Sequence, residues 1–140
     1  KTKMKILVFG LPGSGKTYLA ERLVRYLGDQ VAWFNADKVR REANDWDFSD
    51  SGRRRQNQRM IDLCTESVMP IVIADFVAPF ESARKKFSAD YEVFVDTIEE
   101  GRFADTNTVF ERPLGADYIV TEQRGDVDAK IIARAILLNW

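Results

Sequence analysis

Gly10-Leu11-Pro12-Gly13-Ser14-Gly15-Lys16-Thr17 matches the pattern GxxxxGK[ST] in full, and it sits where that pattern needs to sit. Before it runs Met4 to Phe9, a short apolar stretch that reads as a buried strand. After it, Leu19, Ala20, Leu23, Val24 and Leu27 make the stripe of an amphipathic helix from Lys16 to Leu27, stopped by Gly28. A glycine-rich turn between a strand and a helix lets backbone N–H groups converge on phosphate oxygens, and the helix start adds its positive dipole end. Lys16 then reaches the β and γ phosphates, and the Thr17 hydroxyl is placed to ligate Mg²⁺. The implied cofactors are ATP and Mg²⁺. Gly10, Leu11, Pro12, Gly13, Ser14, Gly15, Lys16, Thr17 and Tyr18 are the candidate nucleotide-binding residues.

Outward from this loop, short apolar runs alternate with helical patterns. Val31 to Phe34 reads as a second strand, Pro70 to Ala74 as a third buried on both faces, Tyr91 to Val95 as a fourth and Asp117 to Val120 as a fifth. Helices are expected at Arg53 to Val68, Pro79 to Phe87 and Val127 to Leu138. Lys38 to Asp50 is irregular, with a turn signal at Asn44-Asp45, and Ala104 to Pro113 reads as loop. The alternation predicts an α/β, three-layer P-loop NTPase/kinase fold, a five-stranded parallel sheet flanked by helices. Residues 1–140 make one such domain, with no repeat or linker.

Composition narrows the function. A formal net charge of −1 argues against general affinity for nucleic acid or an anionic membrane. No run approaches the ~18 apolar residues of a membrane span, and the N-terminus lacks a signal-peptide pattern. The single cysteine, Cys64, forms no internal disulfide and reads as a small buried side chain in a helix, so a cytoplasmic location is expected. With no histidine, Ser-His-Asp and Cys-His hydrolase chemistry is excluded, as are histidine metal sites. The expected partner is a small molecule; a homodimer is left open.

Ligands of an open parallel sheet gather at the carboxyl ends of its strands, and three further strand ends carry acids: Asp37, Asp75 and Asp96. A carboxylate at Asp37 can accept a proton from a substrate hydroxyl, hold a water on Mg²⁺ or orient Arg40; the plain alternative is a helix N-cap. Asp75 ends an apolar run in the manner of a Mg²⁺-associated acid, or serves as a cap or turn residue. Asp96 and Thr97 read as capping residues. Arg53, Arg54, Arg55 and Arg59 form the densest positive cluster, yet one helix face presents at most one or two of them to a ligand.

Several segments together resemble the adenylylsulfate kinase family, which phosphorylates the 3′-hydroxyl of adenosine 5′-phosphosulfate (APS) with MgATP. Asn35-Ala36-Asp37-Lys38-Val39-Arg40 resembles the family's strand-end Asp-Gly-Asp-Asn-Val-Arg. Asp47-Phe48-Ser49-Asp50-Ser51-Gly52-Arg53 resembles its Gly-Phe-Ser stretch leading to Asp-Arg, and Asp75-Phe76-Val77-Ala78-Pro79-Phe80 its Ser-Phe-Ile-Ser-Pro-Tyr. Glu92 to Thr97 resembles Glu-Val-Phe-Val-Asp-Thr, and Phe110-Glu111-Arg112-Pro113 resembles Tyr-Glu-x-Pro. The order holds from about Met4 to Thr121. The resemblance implies a transferase of sulfate assimilation with Lys16 and Asp37 as catalytic residues. It further implies substrate contacts from Asp37, Arg40, Phe48, Arg53, Gln56, Phe76 and Val77, to which Arg102 is added as the one cation of the segment in the lid's place; Thr17 and Asp75 remain the expected metal contacts on the reading of the loop and strand end given above.

Departures from the pattern keep rivals open. Gly52 replaces an aspartate and Gln56 an asparagine. Ala78 replaces a serine, so no phosphorylated intermediate forms there, and Glu81 replaces an arginine. Only Ile98 to Val109 stand where the family has a long basic lid, with Arg102 the sole cation among them. Either the short lid still closes the site or the acceptor has changed. The rivals are a kinase for another nucleotide or small metabolite, and a nucleotide-binding module with weak ATPase activity.

Overall fold

The apolar run Met4–Phe9 is strand β1 and lies in the middle of the sheet, where both of its faces are covered. The computed structural model describes residues 3–101 and 103–138. After β1 come α1 (Lys16–Leu27), β2 (Val31–Asn35), α2 (Ala36–Ala43), α3 (Asp50–Glu66), β3 (Ile71–Asp75) and α4 (Glu81–Phe87). The chain continues with β4 (Tyr91–Val95), α5 (Ala104–Val109), β5 (Tyr118–Val120) and α6 (Asp126–Leu138). The five strands run in the order β2-β3-β1-β4-β5, and every pairing is parallel.

Alternation along β1 builds two cores. Ile6 and Val8 point to one face, where they pack with Leu19 and Leu23 of α1 and Ile132 and Ile136 of α6. Leu7 and Phe9 point to the other, against Met60 and Cys64 of α3 and Phe87 of α4. This is the three-layer architecture that alternating strands and helices imply, with helices on both faces of a parallel sheet. Among the described residues, no helix is long and apolar enough to cross a membrane.

Three stretches differ from the sequence reading. Residues 38–43, read as irregular, belong to α2, whose one buried side chain is Arg40, so no apolar stripe announces it. Its signal is the caps: the Asn35 side chain accepts from Lys38 N, and Asn44 closes the end in the left-handed conformation. Residues 104–109, read as loop, form α5, a short helix whose residues after Ala104 are weak formers and which has no side-chain cap of its own. Tertiary bonds hold it: Arg53 donates to Thr106 Oγ1 at 2.9 Å, and Asn107 exchanges two bonds with the Gly101 backbone. Helix α3 also starts earlier than read, at Asp50, because Ser49 accepts from Gly52 N and caps it.

Candidate active site

The loop between β1 and α1 has the geometry of an anion cradle. Gly10 is required by a close approach: a Cβ there would lie 2.4 Å from the Val95 carbonyl oxygen of β4. Gly15 caps α1 at φ 102°, a conformation costly for any side-chain-bearing residue. No side chain caps α1 and no acid sits in its first turn, so its opening N–H groups face an unopposed positive end. The loop is braced from within, where Ser14 N donates to Leu11 O at 3.1 Å, and from outside, where Thr97 Oγ1 donates to Ser14 O at 2.6 Å. Thr97 is therefore a brace of the loop rather than a cap. Lys16 is buried and donates to the Leu11 carbonyl at 3.0 Å, curled within the loop it serves. Pro12, Gly13, Gly15, Lys16, Thr17 and Tyr18 line a cleft of about 720 Å³. Gly10, Leu11 and Ser14 do not; they build the turn instead.

At one end of this cleft lies a polar knot. Asp75, 1% exposed at the end of β3, accepts through Oδ2 from Thr17 Oγ1 at 3.0 Å, Asn35 Nδ2 at 3.0 Å and Trp33 Nε1 at 3.3 Å. Burial pushes its pKa upward, opposed by the Asn35 bond, the nearby Lys16 charge and the Thr17 and Trp33 bonds. The knot fits a small hard cation. Its donors are a hydroxyl and a carboxylate, and among the described residues no group of three or more acids, cysteines or histidines forms an all-protein cage. Mg²⁺ is ordinarily held this way, by one or two protein oxygens with phosphate and water completing its shell.

Next to the cleft, sharing Asp37, Phe48, Arg53, Phe76 and Val77 with it, is a smaller cavity of about 60 Å³ that Arg40 and Gln56 also line. The structure thus brings together every expected substrate residue except Arg102, which lies outside the described residues. Phe48 is half exposed, at 51%, with the Arg40 guanidinium 4.3 Å and that of Arg53 5.5 Å from its ring centre. It is not a core residue. Arg40 and Arg53 are buried, and burial is the main influence lowering both pKa values from the free arginine value. Both guanidiniums also hold the local backbone: Arg40 donates to Asp45 O and Asp47 O, and Arg53 to Phe48 O and Thr106. Asp37 is exposed in the first turn of α2, and the cap is Asn35, so the N-cap alternative for Asp37 does not hold.

Of the arginine cluster, Arg53 lines both the cleft and the smaller cavity. Arg55 and Arg59 pair with Asp45, Arg55 also with Asp47, and Arg54 lies over Phe80. Asp96 is not a cap; it takes both guanidinium branches of Arg112, at 3.0 and 2.6 Å. Asn35, Arg41, Trp46, Phe103, Asp105 and Thr106 also contribute to the cleft wall and were not singled out from sequence. Asn35 carried a signal, its place at a strand end three residues before its capping partner. The last three sit on or beside α5, which sequence hides.

A nucleotide cradle at the head of a 2-3-1-4-5 parallel sheet, with an aromatic and two buried arginines across the cleft, defines a P-loop kinase, a phosphotransferase. The family model for adenylylsulphate kinase matches residues 2–114, and the chain belongs to that family. Among solved structures it is similar to the APS kinase CysC of Mycobacterium tuberculosis in complex with AMPPNP and APS. That match has 22% identity, 99% coverage of both chains and a TM-score of 0.81. A gluconokinase from Sinorhizobium meliloti 1021 matches at 18% identity, covering 99% of this chain and 94% of its own, with a TM-score of 0.66. The shikimate kinase of Acinetobacter baumannii in complex with shikimate matches at 19% identity and a TM-score of 0.63, with 99% and 93% covered. No curated protein matches the chain.

Proposed function

We propose that this chain transfers the γ-phosphate of ATP to the 3′-hydroxyl of APS, forming 3′-phosphoadenosine 5′-phosphosulfate in cytoplasmic sulfate assimilation. The observation that carries the reading is convergence: Asp37, Arg40, Phe48, Arg53, Gln56, Phe76 and Val77 line one cavity that adjoins the phosphate cleft. In the transfer a bond forms from the acceptor oxygen to the γ-phosphorus while the bridging bond to ADP breaks. Asp37 accepts or orients the hydroxyl proton. Lys16 and the N–H groups opening α1 stabilise charge on the transferring group, and Arg40 and Arg53 set a positive field for the acceptor's anion. Thr17 and Asp75 would hold Mg²⁺, which when bound neutralises β- and γ-phosphate charge. Phe48 offers a half-exposed ring to a purine.

Phe48→Ala tests the acceptor pocket. Loss of a stacked aromatic costs about 1–3 kcal/mol per base, so the KM for APS should rise by roughly one to two orders of magnitude while the Kd for ATP barely moves. Since the ring is half exposed, Tm should change little. An unchanged KM contradicts the stacking role.

The short lid places Asp105 in the cleft wall and carries Glu99 and Glu100, an acidic surface where an anionic acceptor would gain from a basic one. This favours a kinase for a less anionic metabolite. Turnover of uncharged polyols in preference to APS would support it.

A further inference from the structure

The Thr17 hydroxyl is unusually well determined. It donates to Asp75 Oδ2 at 3.0 Å and lies 3.0 Å from Asn35 Nδ2, which has a hydrogen to give it. A hydroxyl has one hydrogen and two lone pairs. The hydrogen goes to the carboxylate and one lone pair takes the amide N–H, which leaves one lone pair for a cation. Asn35 Nδ2 also lies 3.0 Å from Asp75 Oδ2, and the two residues are paired across the parallel ladder of β2 and β3. The other end of the same amide acts elsewhere: Asn35 Oδ1 accepts from Lys38 N at 3.1 Å and caps α2, the helix bearing Asp37 and Arg40.

We propose that Asn35 is a positioning residue that pairs with Asp75 to fix the Thr17 hydroxyl for a divalent cation, and that its cap ties this hydroxyl to the acceptor-side helix. The amide is needed for both tasks. Its N–H end sets the hydroxyl rotor and shares the Asp75 charge, and its oxygen end anchors α2. Asn35→Ser would keep a capping oxygen and lose the two amide N–H donors that reach Thr17 and Asp75. The pair is also reciprocal: the family motif resembled here has an acid at the position of Asn35 and a hydroxyl at that of Asp75. In this chain the acid stands on β3 and the amide on β2. Exchanging the two residues across the ladder should therefore rebuild the same single charge beside Thr17.

The inference rests on reading Thr17 as a metal contact, and the test separates the two. The Kd of a non-hydrolysable ATP analogue is measured by calorimetry with and without Mg²⁺, and the ratio is the magnesium-dependent gain. Outer-shell partners of metal ligands ordinarily matter by about 10–100-fold in affinity. In Asn35→Ser the gain should fall at least about tenfold, with the magnesium-free Kd and Tm near the parent's. Asp75→Asn should lose the gain too, and the exchange Asn35→Asp/Asp75→Asn should recover most of it. A magnesium-dependent parent with an unchanged Asn35→Ser gain overturns the pair alone, as does an exchange variant no better than Asp75→Asn. A parent indifferent to magnesium overturns the metal reading and the pair with it.

Discussion

Lys16 and Asp37 carry the sharpest expectations at the level of single residues. Lys16 is buried in the loop and bonds to the Leu11 carbonyl, so its removal leaves the sheet core intact. Lys16→Ala should abolish turnover and weaken ATP binding in a protein whose circular dichroism spectrum matches the parent's; undiminished ATP-dependent activity would contradict the cradle. Asp37 is exposed and is not the cap of α2, so Asp37→Asn tests chemistry rather than folding. Turnover should drop by roughly 10²–10⁴, while the Kd for ATP stays near the parent value. A near-normal rate would remove Asp37 from the proton-handling role. Cys64 shows the other kind of residue, for burial pushes its thiol up to about 12 and leaves it a packing group on α3.

At the scale of elements, the acceptor pocket depends on a buried arginine of α4, the helix whose Ala83 lines the smaller cavity. Arg84 of α4 is 2% exposed and donates to Ala78 O at 2.6 Å, Glu111 O at 2.7 Å and Glu81 Oε2 at 2.8 Å. Ala78 sits at φ 45°, a strained conformation for a residue with a Cβ, in the segment that lines the smaller cavity. Arg84→Met would leave two carbonyls without this donor, at about 1–3 kcal/mol each for a buried group. Tm should fall by roughly 5–20 °C, and the acceptor KM should rise as the strained turn relaxes. An unaltered melting curve would show that Arg84 does not hold this turn. Elements also mark the limit of what sequence discloses. Strands β1, β3 and β4 were legible as apolar runs and α1 as an amphipathic stripe, because both patterns are imposed by burial. Helices α2 and α5 were not, since α2 buries only Arg40 and α5 is held by distant partners, Arg53 and Gly101.

For the whole molecule, the fold followed from one loop and the alternation around it, because a strand, a glycine turn and a helix admit few parallel-sheet arrangements. The candidate site was legible in its members and not in its joints. Phe48 and Arg53 could be named only from the family resemblance, and the bonds from Arg53 to Thr106 and from Asn35 to Thr17 join residues far apart in sequence. The lid, from 98 to 109, is where the family likeness is weakest and where Asp105 enters the cleft. The acceptor is therefore the central claim. The direct measurement incubates purified protein with ATP, Mg²⁺ and an equimolar set of APS, shikimate, gluconate and adenosine, then identifies the phosphorylated product by mass spectrometry and phosphorus NMR. A single product is expected, APS phosphorylated at its 3′-hydroxyl, with ADP formed in equal amount. Phosphate on another acceptor, or ADP released with no phosphorylated acceptor at all, would contradict it.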